Sequence, residues 1–351
     1  MCASYREPPA TRGLAVATIF DVARLANVGV GTVSRVLNDG AVAAATRGRV
    51  EAAITELGFR PSRVARNLST GTTSTIAAMV PFVGQSAVTD RLRGLVAAFA
   101  DTSYDLTIVG LESPEQRDRN LARFAASGEA AGAVIIATPL AAKDVAAFGR
   151  TGTPIVLLET RLDGYPSVWI DDHRGGRMAA DHLLGLGHRR IAFVGHEEHP
   201  SLGVGNVARR LDGLRAAMAD AAAPLAPQYV RMGAAGRRDV ARKSTAYLLS
   251  MPRPPTAIFA ASDVQAFGVF EAARHAGLAI PGDLSVIGFD DIDHAEPLGL
   301  TTIRQQLERS GALGGEMLLR MLNHEMVGSR ELELSVIVRT STAPPRATGD
   351  G

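Results

Sequence analysis

Arg35 follows Ser34 directly and Thr32 by three residues in the stretch IFDVARLANVGVGTVSRVLN, residues 19–38. A guanidinium can fork onto the O6 and N7 of guanine in the DNA major groove, and the two hydroxyls suit contacts to phosphate. Such chemistry needs a rigid carrier. Val22, Ala23, Leu25 and Ala26 give one apolar helical face, and Val28, Val33, Val36 and Leu37 give a second, with a turn at residues 27–29 between them. Small Ala23 lets the two helices approach, and Asn27 tolerates the left-handed backbone of a tight turn. The pattern is a helix-turn-helix whose second helix presents Val30, Gly31, Ser34 and Arg35 outward.

The flanking elements fit that role. Thr46 to Leu57 reads as a third helix whose Val50, Ala53, Ile54 and Leu57 can close over the first two, with Gly58 as its cap. Pro61 opens a shorter helical segment with Val64, Ala65 and Leu68 on one side, too short to be stable alone. Nine Arg stand against five Asp or Glu within residues 1–72, although the whole 351-residue chain carries a net charge of only +1. The basic surplus therefore sits where phosphate contact is expected.

The same stretch resembles the DNA-binding head of the lactose-repressor and galactose-repressor family of bacterial transcription regulators. The resemblance rests on DVA at Asp21 to Ala23, TVSRVLN at Thr32 to Asn38, VEAAITELGF at Val50 to Phe59 and PSRVARNLS at Pro61 to Ser69. It implies a DNA-contacting set of Val30, Gly31, Thr32, Ser34, Arg35 and Asn38 in the head, and Arg63, Ala65 and Leu68 in a hinge helix. Leu68 falls where the family inserts a leucine at the central base step, and Ala65 where a small residue permits close approach to the minor groove. Two positions depart from the family. Gly29 replaces a usual serine at the start of the recognition helix, and Gly31 removes a side chain that usually varies with operator sequence.

Beyond Ser74, apolar runs begin at Thr75, Leu106, Ala133, Pro154, Ile191, Thr256 and Leu284, separated by amphipathic helical segments. Near-continuous apolar strands alternating with helices indicate parallel sheets covered on both faces. Their number calls for two lobes with a ligand at the carboxyl ends of the strands. The family resemblance extends over this region through HLLGLGHRRIAFVG at His182 to Gly195, Ser262-Asp263, SVIGFDD at Ser285 to Asp291, LTTIRQ at Leu300 to Gln305 and RTSTAPP at Arg339 to Pro345. It implies a periplasmic-binding-protein-like core with three crossings, near Asp172, Leu300 and Glu331. Its implied effector residues are Gln85, Glu159, Arg210, Ser262, Asp263 and Asp290. The loop Gln85 to Val88 lacks the aromatic pair with which many sugar-binding members cover a pyranose face, which argues against a simple hexose.

Other chemistries find little support. His196, Glu197, Glu198 and His199 do not have the spacing of a zinc hydrolase helix. GVGNVA at Gly203 to Ala208 lacks the strand and downstream acid of a dinucleotide site. No nucleophile elbow or phosphate-binding Gly-Lys loop occurs. Cys2 is the only cysteine, excluding an intrachain disulfide, and no apolar stretch reaches membrane-spanning length.

The expected architecture is an all-α helix-turn-helix head with a hinge helix, followed by an α/β two-lobed core built on parallel sheets. The boundaries are a flexible arm at 1–17, the head at 18–60, the hinge and linker at 61–73 and the core at 74–346. Lobe 1 takes about 74–172 and 301–330, and lobe 2 takes 173–300 and 331–346. The expected function is a non-enzymatic repressor, cytoplasmic and nucleoid-associated, working as a homodimer on a near-palindromic operator under a small-molecule, possibly carbohydrate, effector. It needs no cofactor, metal or membrane. A solute receptor without DNA activity and an α/β enzyme using the cleft remain open alternatives at this point.

Overall fold

Thr18 begins the first element by accepting the amide of Asp21 with its hydroxyl, while the Asp21 carboxylate takes the Thr18 amide in return. The computed structural model describes residues 17–60, 73–126, 129–199 and 202–346. The chain divides into two units between Thr72 and Thr73.

The first unit holds α1 (Ile19–Leu25), α2 (Val30–Leu37) and α3 (Ala44–Leu57). Asn27 turns the chain with φ 50°, and Gly58 ends α3 with φ 58°, as their residue types require. Val22, Ala23, Ala26, Val33, Val36, Val50, Ala53 and Phe59 form the core of this unit. Leu25 differs from expectation: it lies at the end of a seven-residue helix and is exposed. The hinge residues Arg63, Ala65 and Leu68 lie outside the described residues.

The second unit begins with β1 (Thr75–Val80), α4 (Ser86–Phe99), β2 (Asp105–Gly110), α5 (Pro114–Ala125), β3 (Gly132–Ile136), α6 (Ala142–Thr151), β4 (Ile155–Leu158) and β5 (Ser167–Trp169). It continues through α7 (Asp172–Gly185), β6 (Ile191–His196), α8 (Asn206–Asp220), β7 (Val230–Gly233), α9 (Arg238–Leu249), β8 (Ala257–Ala260) and α10 (Asp263–His275). The last elements are β9 (Ser285–Asp290), β10 (Thr301–Arg304), α11 (Leu307–Leu322), β11 (Arg330–Glu331) and β12 (Ser335–Ile337). The strands make two six-stranded sheets, ordered β11-β5-β4-β3-β1-β2 and β12-β10-β9-β8-β6-β7. All pairs are parallel except β10 with β12. Apolar clusters cover both faces of each sheet, which explains the uninterrupted hydrophobic runs.

The chain crosses between lobes at Ile170–Asp171, returns at Gln305–Gln306, and crosses again between β11 and β12. The second crossing differs from the expected Leu300. Residues 301–304 are strand β10, paired in parallel with β9, and Thr301, Thr302 and Ile303 are buried there. They therefore belong to lobe 2, and lobe 1 regains the chain only at α11, which packs on α4. Glu331 is still paired in lobe 1, and the last crossing falls at 332–334.

Candidate functional site

Two places in the chain gather polar groups in the way a site requires. The first is α2. Its N-cap, Gly29, offers no side-chain hydrogen bond, and space is open around the Cα atoms of Gly29 and Gly31. The first turn therefore leaves the Val30 and Gly31 amides without a capping side chain, a surface that can approach an anion closely. Arg35 is exposed, and Thr32 and Ser34 are half-buried. Asn38 caps the helix, its amide donating to the Ser34 carbonyl at 2.9 Å. Val30 is less outward than its position implies: it is half-buried and packs partly against the core of the unit. Val33 and Val36 are buried, so the face carrying Gly31 and Arg35 is the one turned outward.

The second place is the junction of the two lobes, where a chain of charges runs through the interior. Arg91 on α4 is buried and donates to the Glu159 carboxylate, to Gln305 Oε1 at 2.9 Å and to the Ala87 carbonyl at 3.0 Å. Gln305, at the second crossing, passes its amide to Asp290 Oδ1. Arg210 Nη1 lies 3.9 Å from that carboxylate, and Arg210 Nε donates to Asp172 Oδ1 at 2.9 Å. The same guanidinium donates to the Ala261 carbonyl at 2.6 Å and stacks on the Phe289 ring, 3.6 Å from its centroid. Groups this deep are tolerated because each meets an opposite charge and further hydrogen bonds.

Backbone geometry aims these groups. Glu159 and Asp290 follow or end strands with φ of 61° and 121°, conformations that non-glycine residues adopt only under surrounding constraint. Burial pushes the Asp290 carboxyl up to about 7, with Arg210 and Arg91 opposing the rise and Glu159 adding to it. Asp172 is also raised by burial, against the pull of Arg210.

A cleft of about 500 Å³ opens beside this chain, lined by both lobes. Glu159 and Asp172 reach it, together with Thr160, Arg161, Trp169 and Arg209. Of the implied residues, Glu159, Arg210 and Asp290 lie in this one buried chain of charges, and Glu159 also lines the cleft. The remaining implied residues make no hydrogen bond to that group, although the Asp263 charge acts on Asp290. Gln85 is an exposed residue at the start of α4. Ser262 caps α10 by accepting the Gln265 amide. Both Asp263 oxygens are used internally, one by the Ile292 amide at 3.0 Å and one by the Thr302 hydroxyl at 2.6 Å. An acid placed at a strand end therefore braces loop 291–292 and β10 rather than the cleft.

Arg91, Asp172 and Gln305 were not among the implied ligands. Arg91 leaves a signal in the sequence: it occupies the apolar face of α4 between Val88 and Leu95, where a charge must be paired. Trp169 and Arg161 leave none, because their proximity depends on how the 159–171 segment folds.

A model of bacterial regulatory proteins of the lacI family matches residues 18–62, and one for a periplasmic binding protein-like domain matches residues 180–342. The chain is similar to the HTH-type transcriptional repressor CytR of Escherichia coli strain K12, with 32% identity over 93% of this chain and 96% of that protein. Similarity to the ribose operon repressor of the same strain is 33% identity over 92% of this chain and 98% of that one. In structure it is similar to the lac repressor dimer bound to operator and the anti-inducer ONPF. That match has a TM-score of 0.80 at 28% identity, covering 93% of this chain and 99% of the other.

Proposed function

The chain belongs to the lacI family of bacterial regulatory proteins, and from that premise we propose that it is a repressor whose grip on a near-palindromic operator is set by a ligand in the interlobe cleft. One observation carries the reading: a helix-turn-helix with an exposed arginine and a two-lobed cleft stand in one chain, and the likeness to known repressors runs through both. Val30, Gly31, Thr32, Ser34, Arg35 and Asn38 meet the major groove, and Arg63, Ala65 and Leu68 serve the hinge. The division is an arm at 1–17, a head at 18–60, a hinge at 61–73 and a core from 74 to 346.

A homodimer presents two heads, and its two-fold symmetry imposes a palindromic site. Glu159, Arg210 and Asp290, with Asp172, hold the ligand at the lobe junction. Ligand hydroxyls or charges there compete with the interlobe chain of hydrogen bonds and change the balance between lobe arrangements. Coupling requires unequal affinity for the two arrangements, since equal binding shifts nothing. The ligand is a carbohydrate or a related metabolite, in keeping with the ribose operon repressor among the similar proteins. The protein works in the cytoplasm on the nucleoid and catalyses no reaction. Among the described residues no helix is long and apolar enough to cross a membrane.

The test is selection of bound sequences from a random duplex library with full-length protein, with and without a panel of sugars and nucleosides. The expected result is a palindrome whose recovery changes with at least one compound. No preferred sequence under any condition would remove the repressor reading, and turnover of a substrate lost in Asp290→Asn would remove the non-enzymatic one.

A further inference from the structure

The carboxylates lining the cleft already have protein donors. Glu159 takes Arg91, Asp172 takes Arg210 and has Arg209 at 3.6 Å, and Asp171 accepts the Arg174 amide at the start of α7. By the same contacts Arg91, Arg209 and Arg210 each already face an acid, which a ligand would have to displace. Arg161 differs. It is exposed at the cleft, its guanidinium lies 4.1 Å from the centroid of the Trp169 ring, and it has no carboxylate partner among the described residues. A guanidinium stacked on an indole engages through its face, which leaves the in-plane N–H donors free for a bidentate acceptor.

We propose that the effector is an acidic ring compound, a sugar acid or a sugar phosphate, with its anionic group on Arg161 and its ring beside Trp169. The proposal rests on the reading of the cleft as the effector site, and it names the ligand class. Phe82, in the loop after β1, is exposed but does not line the cleft, so Trp169 on the β5 wall is the ring-binding surface available there. A cleft of about 500 Å³ has room for a phosphorylated or carboxylated monosaccharide. A neutral sugar would leave the Arg161 donors to water, whereas a carboxylate or phosphate converts them into charge-assisted hydrogen bonds. Two of the neighbouring acids do not repel the ligand with full charge, because Asp172 is offset by two arginines and Glu159 by one, while Asp171 accepts the Arg174 amide at the start of α7.

Trp169 is the only tryptophan in the chain, so indole emission of the full-length protein reports this cleft alone. Titrations would pair ribose with ribose 5-phosphate, glucose with glucose 6-phosphate, and glucose with glucuronate. The phosphate and carboxylate arms separate the two sources of negative charge. At least one acidic probe is expected to change the emission at a concentration roughly tenfold or more below its neutral partner. Arg161→Gln, an exposed substitution, is expected to erase that advantage while leaving the melting temperature unchanged. Neutral sugars binding as tightly as acidic ones, no response to any acidic probe, or an advantage that survives in Arg161→Gln would each overturn the proposal. Band shifts on the selected operator, run on the same preparations without probe, keep the two readings apart. Operator binding with no acid preference sinks only the ligand class. Acid preference without operator binding sinks the repressor reading and supports the ligand class.

Discussion

Asp290 sits at the end of β9 with Gln305 on one oxygen and Arg210 within 3.9 Å, yet burial dominates and lifts its carboxyl from the ordinary 3.8 to about 7. The folded chain therefore keeps a proton between those values that the unfolded chain releases. Folding stability contributed by this group falls as pH rises from about 4 to about 7 and then levels. Asp290→Asn removes the titration, so the variant's unfolding free energy should change less across that window than the parent's. Parallel pH profiles from denaturant melts would show that Asp290 does not carry the effect. At the reading surface, Arg35→Ala should weaken operator binding by about 1 to 3 kcal/mol and affect random DNA less. Equal losses on both duplexes, measured at one salt concentration, would assign Arg35 to phosphate instead. Both residues stand out in the sequence because each lies within a distinctive motif, TVSRVLN and SVIGFDD. Asp263 stands out equally, yet in the fold its oxygens take the Ile292 amide and the Thr302 hydroxyl, and residue type and chain position do not say whether a carboxylate faces a cleft or ties two loops together.

Helix α4 carries Arg91 toward Glu159, and its depth is fixed by contact with α11. A Cβ built on Gly311 would collide with the Arg91 backbone, and one on Gly94 with the Glu308 backbone, so reciprocal glycines let the two helices touch along their main chains. Gly311→Ala should force them apart and cost about 1 to 3 kcal/mol in urea denaturation. Gly185→Ala, on α7 with open space around it, should stay within about 1 kcal/mol of the parent. Equal effects of the two substitutions would mean that helix propensity, not close approach, governs both. Most of the long strands were legible because both of their faces are buried; β2, at a sheet edge and largely exposed, was legible from its apolar run alone. Strands β5, β10, β11 and β12 are two to four residues long, and β7 is only half-buried along its length. Such segments owe their conformation to the neighbour they pair with, which local pattern cannot supply.

Over the whole molecule, the two-fold symmetry of the proposed homodimer leads to a quantitative expectation about DNA. A duplex with both half-sites should bind far more tightly than one with a single half-site, because the second head engages at high effective concentration, with gains of roughly a hundredfold or more. Equal affinity for the two duplexes in a band-shift titration would mean that one head acts alone. The interleaving of the lobes has a consequence for how the protein is made. Lobe 1 has its β1 to β5 strands by Trp169, but the α11 residues Met317 and Leu318 that complete one of its apolar clusters come after the whole of β6 to β10. At ribosomal speeds that gap takes on the order of ten seconds. Throughout it, the nascent first lobe presents an uncovered apolar groove beside α4, β3 and β4. Birth of the molecule at the ribosome is thus its period of greatest exposure to aggregation and to chaperone capture, before any ligand or operator can act on it.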